Sequence, residues 1–185
     1  MALPGTQSSF HQVEAKYRKL RQQVFAFTMK QFSSPAFLLR EITYNDAVLA
    51  DKWRAAWPQQ HMRATWSWVD MYNRANNLLK RFDIALIANG EPVAMCYGVP
   101  SKKKVLLKLH TLGRKPYENP LAGHVLDIVL FAASAYASLL GCEEIWLVAP
   151  MNETLVEKYQ AFGYTAQRSK AGKVTHLSMK VNYDL

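Results

Sequence analysis

The segment Val125 to Leu140 (VLDIVLFAASAYASLL) leaves this chain few choices of fold. It is apolar along most of its length, and Gly141 stands where a left-handed residue ends a helix. It lies between two short β-type runs, Val105 to Thr111 (VLLKLHT) and Ile145 to Val148. Strand, loop, helix and strand in that order make a right-handed crossover, so the two strands run parallel in one sheet. Asp127, Ser134 and Ser138 interrupt the apolar run, which also falls short of the roughly 20 residues that span a bilayer. It therefore reads as a buried helix, and no membrane partner is expected.

The regions on either side extend that unit. Ile84 to Ala88 is β-like and meets Asn89-Gly90, a dipeptide suited to hairpin positions with positive φ, and Pro92 to Val99 is the return strand. The lysine-rich turn Ser101 to Lys104 leads into Val105 to Thr111, completing an antiparallel meander. Upstream, Ser9 with Gln12 signals a helix carrying Phe10, Val13, Tyr17, Leu20, Val24 and Phe27 on one stripe, ended by Ser33-Ser34-Pro35. Phe37 to Thr43 reads as a strand, Asn45 or Asp46 as the cap of a helix toward Trp57-Pro58, and Thr65 to about Arg81 as a further helix. Downstream come a turn-rich loop (Arg114 to Gly123), a helix from Glu153 to Phe162 and a final strand near His176 to Val181. The expected fold is mixed α/β (α+β): a mostly antiparallel sheet with one parallel pair, flanked by helices. No repeat or linker divides it, so residues 1–36 read as a helical extension packed on a domain of residues 37–185.

Composition closes off several classes. Of 185 residues, 50% are hydrophobic and 20% charged, which suits one globular core. The two cysteines offer neither a disulfide framework nor metal-ligand spacing, so reduced core thiols and no metal are expected. The first residues lack a basic region followed by an apolar one, so a cytoplasmic location is expected. The net charge of +9 gathers at Lys16, Arg18, Lys19, Arg21 and Lys30 and again at Lys102 to Lys104, and favours polyanionic partners.

The most specific pattern is Asn152-Glu153-Thr154-Leu155-Val156-Glu157-Lys158-Tyr159-Gln160-Ala161-Phe162-Gly163-Tyr164. Asn152 can cap a helix, Tyr159 lies two turns along on nearly the same face, and Gly163 can take the positive φ that stops it. With the element order from Phe37 onward, this resembles the Asn-x6-Tyr-x3-Gly-aromatic signature of the GNAT (Gcn5-related N-acetyltransferase) superfamily, over about residues 37 to 181. The family's pyrophosphate loop, Arg/Gln-x-x-Gly-x-Gly/Ala, is degenerate here. With Gly123 as its first glycine, Pro120 and Val125 fill the other two positions.

The resemblance implies an acetyltransferase with acetyl-CoA as co-substrate. The strands holding Leu109 and Thr111 and Ile145 to Val148 would splay to take the pantetheine arm. Ala122, Gly123, His124 and Val125 would hold the phosphates at a helix start, with Arg114 and Lys115 adding charge nearby, and Asn152 and Tyr159 would complete the cofactor site. An amine would attack the thioester directly while Tyr159 protonates the leaving thiolate. His110, Glu118 and Glu144 are the titratable residues near the relevant strand ends, and His110 and Glu118 are taken as candidate bases. Trp53, Trp57, Trp66, Trp68 and Tyr72, with His61, Arg63 and Arg74, lie on helices that form one wall of the acceptor site in this family. The acceptor is an amine on a protein, a peptide, a small molecule or aminoacyl-tRNA. The alternative is a GNAT-fold binding module, weak or inactive in catalysis, that engages nucleic acid or an acidic protein through its basic surface. The apolar stripe of the first helix could also support a homodimer.

Overall fold

The computed structural model describes residues 4–32, 36–57, 66–75, 77–150 and 152–182, and the structural statements below concern these. The strands are β1 (Leu38–Arg40), β2 (Phe82–Ala88), β3 (Glu91–Pro100), β4 (Leu106–Arg114), β5 (Glu144–Val148), β6 (Thr165–Arg168) and β7 (Val174–Lys180). They form one sheet in the order β1-β2-β3-β4-β5-β7-β6. Every neighbouring pair is antiparallel except β4 and β5. The helices are α1 (Pro4–Gln31), α2 (Tyr44–Asp51), α3 (Trp53–Ala56), α4 (Trp68–Ala75), α5 (Val125–Leu140) and α6 (Glu153–Ala161).

The sheet is covered unevenly. On one face, α5 and α1 bury Ile128, Val129, Tyr136, Val24 and Phe25 against Phe82, Ile84, Leu86, Cys96, Leu107 and Ile145. On the other, α2 to α4 bring Ala47, Ala50, Trp53 and Trp68 onto Ala85, Ile87 and Met95. With both faces covered, β2 is buried at all its positions, and its sequence FDIALIA is correspondingly close to a continuous apolar run. Helix α5 stops at Gly141 (φ 71, ψ 31), where the left-handed conformation lets the Cys142 amide reach back to the Ala137 carbonyl at 2.9 Å.

Local chemistry moves several expected boundaries. The first helix begins at Pro4, not Ser9, because proline's fixed φ and missing N–H suit a first helical position. The second helix is capped by Thr43 rather than Asn45 or Asp46. Thr43 Oγ1 accepts from the Asp46 amide while the Asp46 carboxylate accepts from the Thr43 amide, closing a capping box that shortens the strand before it to Leu38–Arg40. Asp51 ends α2, and its carboxylate instead accepts from the Trp68 and Val69 amides, tying down the start of α4. The expected helix from Thr65 to Arg81 is only Trp68–Ala75, since after Ala75 the chain makes turns closed by Leu78 N–H to Ala75 O and Arg81 N–H to Leu78 O. Strand β6 was not foreseen, because TAQR carries too little apolar alternation to announce itself. His61, Arg63 and Thr65 lie outside the described residues. Among the described residues no helix is long and apolar enough to cross a membrane, and no group of three or more His, Cys, Asp or Glu could hold a metal ion.

Candidate active site

Strand β4 pairs with β3 along most of its length, but with β5 only through Leu106↔Glu144, Leu107↔Ile145, Lys108↔Trp146 and Leu109↔Leu147. Beyond Leu147, β5 keeps its other neighbour: Val148 pairs with His176, and the Ala149 amide donates to the Thr175 carbonyl at 3.1 Å. The parallel strands therefore part after Leu109, and the edge of β4 from His110 to Arg114 has no ladder partner on that side.

The cause of the parting is local. Tyr97 faces Thr111 across the β3–β4 ladder, yet the next residue, Gly98, faces Leu109, so His110 is an extra, bulged residue. A bulge bends its strand and raises the twist, and this one sits where β4 leaves β5. Gly98 admits it, because a Cβ there would stand 2.7 Å from both Leu109 Cδ2 and the Lys108 carbonyl oxygen. On the β5 side, Ala149 turns the chain away with φ 47.

Tyr159 belongs to the buried cluster that also holds Cys96, Leu107 and Leu109, with Leu112 packed against it. Asn152 caps α6 by accepting from the Leu155 amide at 2.9 Å, and Val156 and Tyr159 are the residues α6 buries. The Tyr159 ring packs edge-to-face on Tyr164 at 6.2 Å, and its phenol is close enough to the Cys96 thiol for an electrostatic interaction. Cys96 is the register partner of Leu112, in the half of β4 that has left β5. Burial first, and Cys96 second, push the Tyr159 hydroxyl well above the ordinary phenol range, and Tyr164 is raised mainly by burial. Among the described residues the Tyr159 hydroxyl makes no hydrogen bond, and the Tyr164 hydroxyl is buried without one.

The loop into α5 supplies a second set of free groups. Gly123 has φ 92, with open space where a Cβ would stand, and His124 occupies the N-cap with no side-chain capping bond. The first bond into the helix is Ile128 N–H to His124 O, so among the described residues the amides of Gly123, Val125, Leu126 and Asp127 have no partner. Ala122 is exposed, its amide bonded to the Asn119 carbonyl, and Val125 is buried. Asn119, which sequence reasoning missed, holds this loop: its Nδ2 donates to the Val93 and Lys115 carbonyls, and its Oδ1 accepts from the Leu121 amide. An Asn before Pro in a turn-rich stretch was the available signal.

The other expected site residues fall in different places. Leu109 is the last residue paired to β5. Thr111 faces α4, where its hydroxyl donates to Met71 Sδ at 3.4 Å. His110 is exposed on the bulge, and partial burial of its ring, then Lys108, hold its imidazole below the ordinary 6.5. Glu118, at φ 50, lines an open groove of about 260 Å³ beside Leu49, Lys52 and Trp53, on the α2–α3 side and apart from Tyr159. Glu144 accepts from the Trp146 indole N–H at 2.7 Å, and that indole stacks on His176 with ring centroids 3.9 Å apart. Trp53, Trp66 and Trp68 meet edge-to-face, so they mainly pack α2 to α4 together, while Trp57 lies under the Arg114 guanidinium.

No protein-family model matches the sequence, and no curated protein matches it. Solved structures do. An acetyltransferase of the GNAT family from Streptococcus pneumoniae matches with a TM-score of 0.57 and 17% identity, over 80% of this chain and 100% of that one. The PaiA N-acetyltransferase of Thermoplasma acidophilum, solved with coenzyme A, matches at 0.54 and 13% identity over 78% and 99%. The ribosomal-protein-S18-alanine N-acetyltransferase of Escherichia coli matches at 0.55 and 14% identity over 81% and 99%. At such identities a likeness speaks for the fold alone, and together with the bulged, parting β4–β5 pair it establishes that this chain has the GNAT fold.

Proposed function

We propose that this protein is an N-acetyltransferase, moving the acetyl group of acetyl-CoA directly to an amine. The observation that carries the reading is the parting of β4 from β5 after Leu109 and Leu147, which leaves backbone groups of β4 free for an extended ligand to pair with as an added strand. Two further features support it. The unpartnered amides at the start of α5 suit the phosphates of coenzyme A, and a neighbour of the same fold was solved with coenzyme A.

In this reading the pantetheine arm lies along His110 to Arg114, and a β4 amide beside the bulge donates to the thioester oxygen as negative charge develops there. The amine attacks the carbonyl carbon, the C–S bond breaks, and the sulfur leaves with the bonding pair. Because burial keeps the Tyr159 proton on its oxygen until the sulfur takes on charge, the phenol hydrogen-bonds the developing sulfur anion, passes its proton to the departing thiol and recovers one from solvent. His110, neutral at physiological pH, takes the proton lost by the attacking amine through water.

Acetyl-CoA should stabilise the native state by about 2.7 kcal/mol at a hundredfold excess over Kd, read as a raised unfolding midpoint. Native mass spectrometry should find one coenzyme A per chain. If millimolar acetyl-CoA moves neither measurement, the binding-module reading, which Pro120 and Val125 in the phosphate loop favour, takes its place. For the base, the acid limb of kcat/KM should fall below pH 6.5 and vanish in His110→Gln. A limb unchanged in that variant removes His110 from the mechanism.

A further inference from the structure

The two basic clusters of the sequence come together at the end of the sheet remote from the open half of β4. The ammonium groups of Lys80 and Lys104 stand 5.9 and 5.6 Å from the centroid of one ring, that of Tyr17 on α1. Lys102 and Lys103 are exposed on the same turn as Lys104, and Lys16 and Lys19 are exposed on the same stretch of α1 as Tyr17. Among the described residues none of these six lysines makes an ion pair. The carboxylates on the neighbouring elements do not neutralise them: Glu14 and Glu41 pair with Arg18 and Arg21, and Glu143, exposed where β5 begins, pairs with none.

The turn that presents the lysines is held by four hydrogen bonds. Ser101 Oγ accepts from the Val105 and Leu106 amides, the Ser101 amide donates to the Leu106 carbonyl, and the Lys104 amide donates to the Ser101 carbonyl at 2.8 Å. Lys104 completes it at φ 57, a conformation that glycine or asparagine adopts more readily. A lysine retained there at some cost in strain points to a use for its charge. The C-terminal end of α5 accounts for part of the cluster, since Lys104 is near enough to Cys142 to act on its thiol, and a cation is favourable there. It does not account for Lys80, Lys102 and Lys103.

We infer that this lysine-bearing end binds the phosphate backbone of a nucleic acid. Cations from three separate elements, gathered around one ring and left without ion pairs, suit an extended, repeating polyanion better than a compact anion. The phosphates of coenzyme A are not the target, because α5, 16 residues and so about 24 Å long, separates Lys104 near its C-terminus from the free amides at its start. The inference is independent of the transferase reading and survives its failure.

The test is fluorescence anisotropy of the full chain with labelled RNA and DNA oligonucleotides of one sequence, titrated in potassium chloride. Binding should weaken linearly on a log–log salt plot, each lysine–phosphate contact adding about 0.7 to 0.9 to the slope. The K102Q/K103Q/K104Q variant should lose about two units of slope and roughly tenfold or more in affinity while remaining folded by circular dichroism. Lys80→Gln, from a different loop, should lose about one unit, and K170Q/K173Q, on the β6–β7 turn at the other end, should bind as the parent does. The tighter oligonucleotide names the polymer. Salt-independent binding, equal affinity in the turn variant, or displacement by polyglutamate or phosphatidylserine vesicles as effective as by unlabelled oligonucleotide would overturn the inference.

Discussion

Two regions of this protein bury polar groups, and they treat them differently. At the edge of β2, past the end of β1, Arg21 is fully buried with its Nε donating to Glu41 at 2.7 Å and its Nη1 to the Leu79 and Arg81 carbonyls. Asp83 is held between Arg21 at 3.4 Å and Arg81 at 3.3 Å. In the core cluster around Cys96, by contrast, Tyr159, Tyr164 and Cys96 are neutral groups gathered without a hydrogen bond between their side chains. The first arrangement binds charges to one another, so removing any member leaves another buried and exposed to its own desolvation cost. Each region leaves a buried donor without a partner, Arg21 Nη2 in the first and the Tyr164 hydroxyl in the second, but only in the second are the groups neutral and outside any ion pair. The contrast predicts that stability is concentrated in the first region and rate in the second.

The largest expected effect is on turnover. Tyr159→Phe removes a hydroxyl with no partner in the free protein, so stability should hold or rise slightly, while kcat should fall by about 10²- to 10⁴-fold, the usual contribution of a positioned proton donor. Full activity in the phenylalanine variant would dissolve the contrast. Arg21→Met should show the reverse, losing about 3–5 kcal/mol of unfolding free energy with near-normal turnover in the fraction that folds. A urea midpoint close to the parent's would mean the Arg21 network does not hold β1 and α1 to the sheet.

Asp83 gives the contrast a pH dependence. Burial, outweighing Arg81 and Arg21, raises its carboxyl from 3.8 to about 6. The folded state therefore binds the proton more tightly than the unfolded one. The resulting stability is complete below about pH 4, declines as pH rises through 6, and is flat beyond. At about 1.4 kcal/mol per pH unit the decline is on the order of 2–3 kcal/mol. Asp83→Asn should abolish the fall in stability between pH 4 and 6, measured by chemical denaturation. Asp46, held low by Arg40 and Thr43, acts only below that window, and His110, held below 6.5, adds a rise of stability with pH in its upper part, so a fall of stability with pH that persists in the asparagine variant would refute the shifted carboxyl.

What the sequence disclosed follows from how local each signal is. Asn89-Gly90 ends its strands by backbone conformation alone, Gly141 stops α5 in the same way, and Asn152 and Tyr159 are related by helix geometry, so all three were legible. The bulge at His110 was not, because it depends on Gly98 in another strand making room for Leu109. The meeting of Tyr159 with Cys96, and of Lys80 with Lys104 over Tyr17, joins residues remote in sequence. Asp83 carries no local sign of its burial, which is set by α1 and by the turns after α4. Phosphate binding was hard to judge for a related reason: the family motif specifies side chains, whereas the groups available here are backbone amides ordered by Asn119.

The smallest expected effect sharpens the boundary between the two regions, because it concerns a residue that serves position rather than chemistry. Asn152 spends its side-chain oxygen on the Leu155 amide, and that bond fixes the first turn of the helix that presents Tyr159 two turns on. Asn152→Ala should cost about 1 kcal/mol of stability, far less than Arg21→Met. Fraying at the helix start should also lower kcat, since small displacements of a positioned donor are expensive in rate. Asn152→Ser retains a capping oxygen and should restore both quantities together. A serine variant that recovers stability without recovering kcat would show that Asn152 touches the substrate itself, and the cap would then belong to the catalytic region rather than to its support.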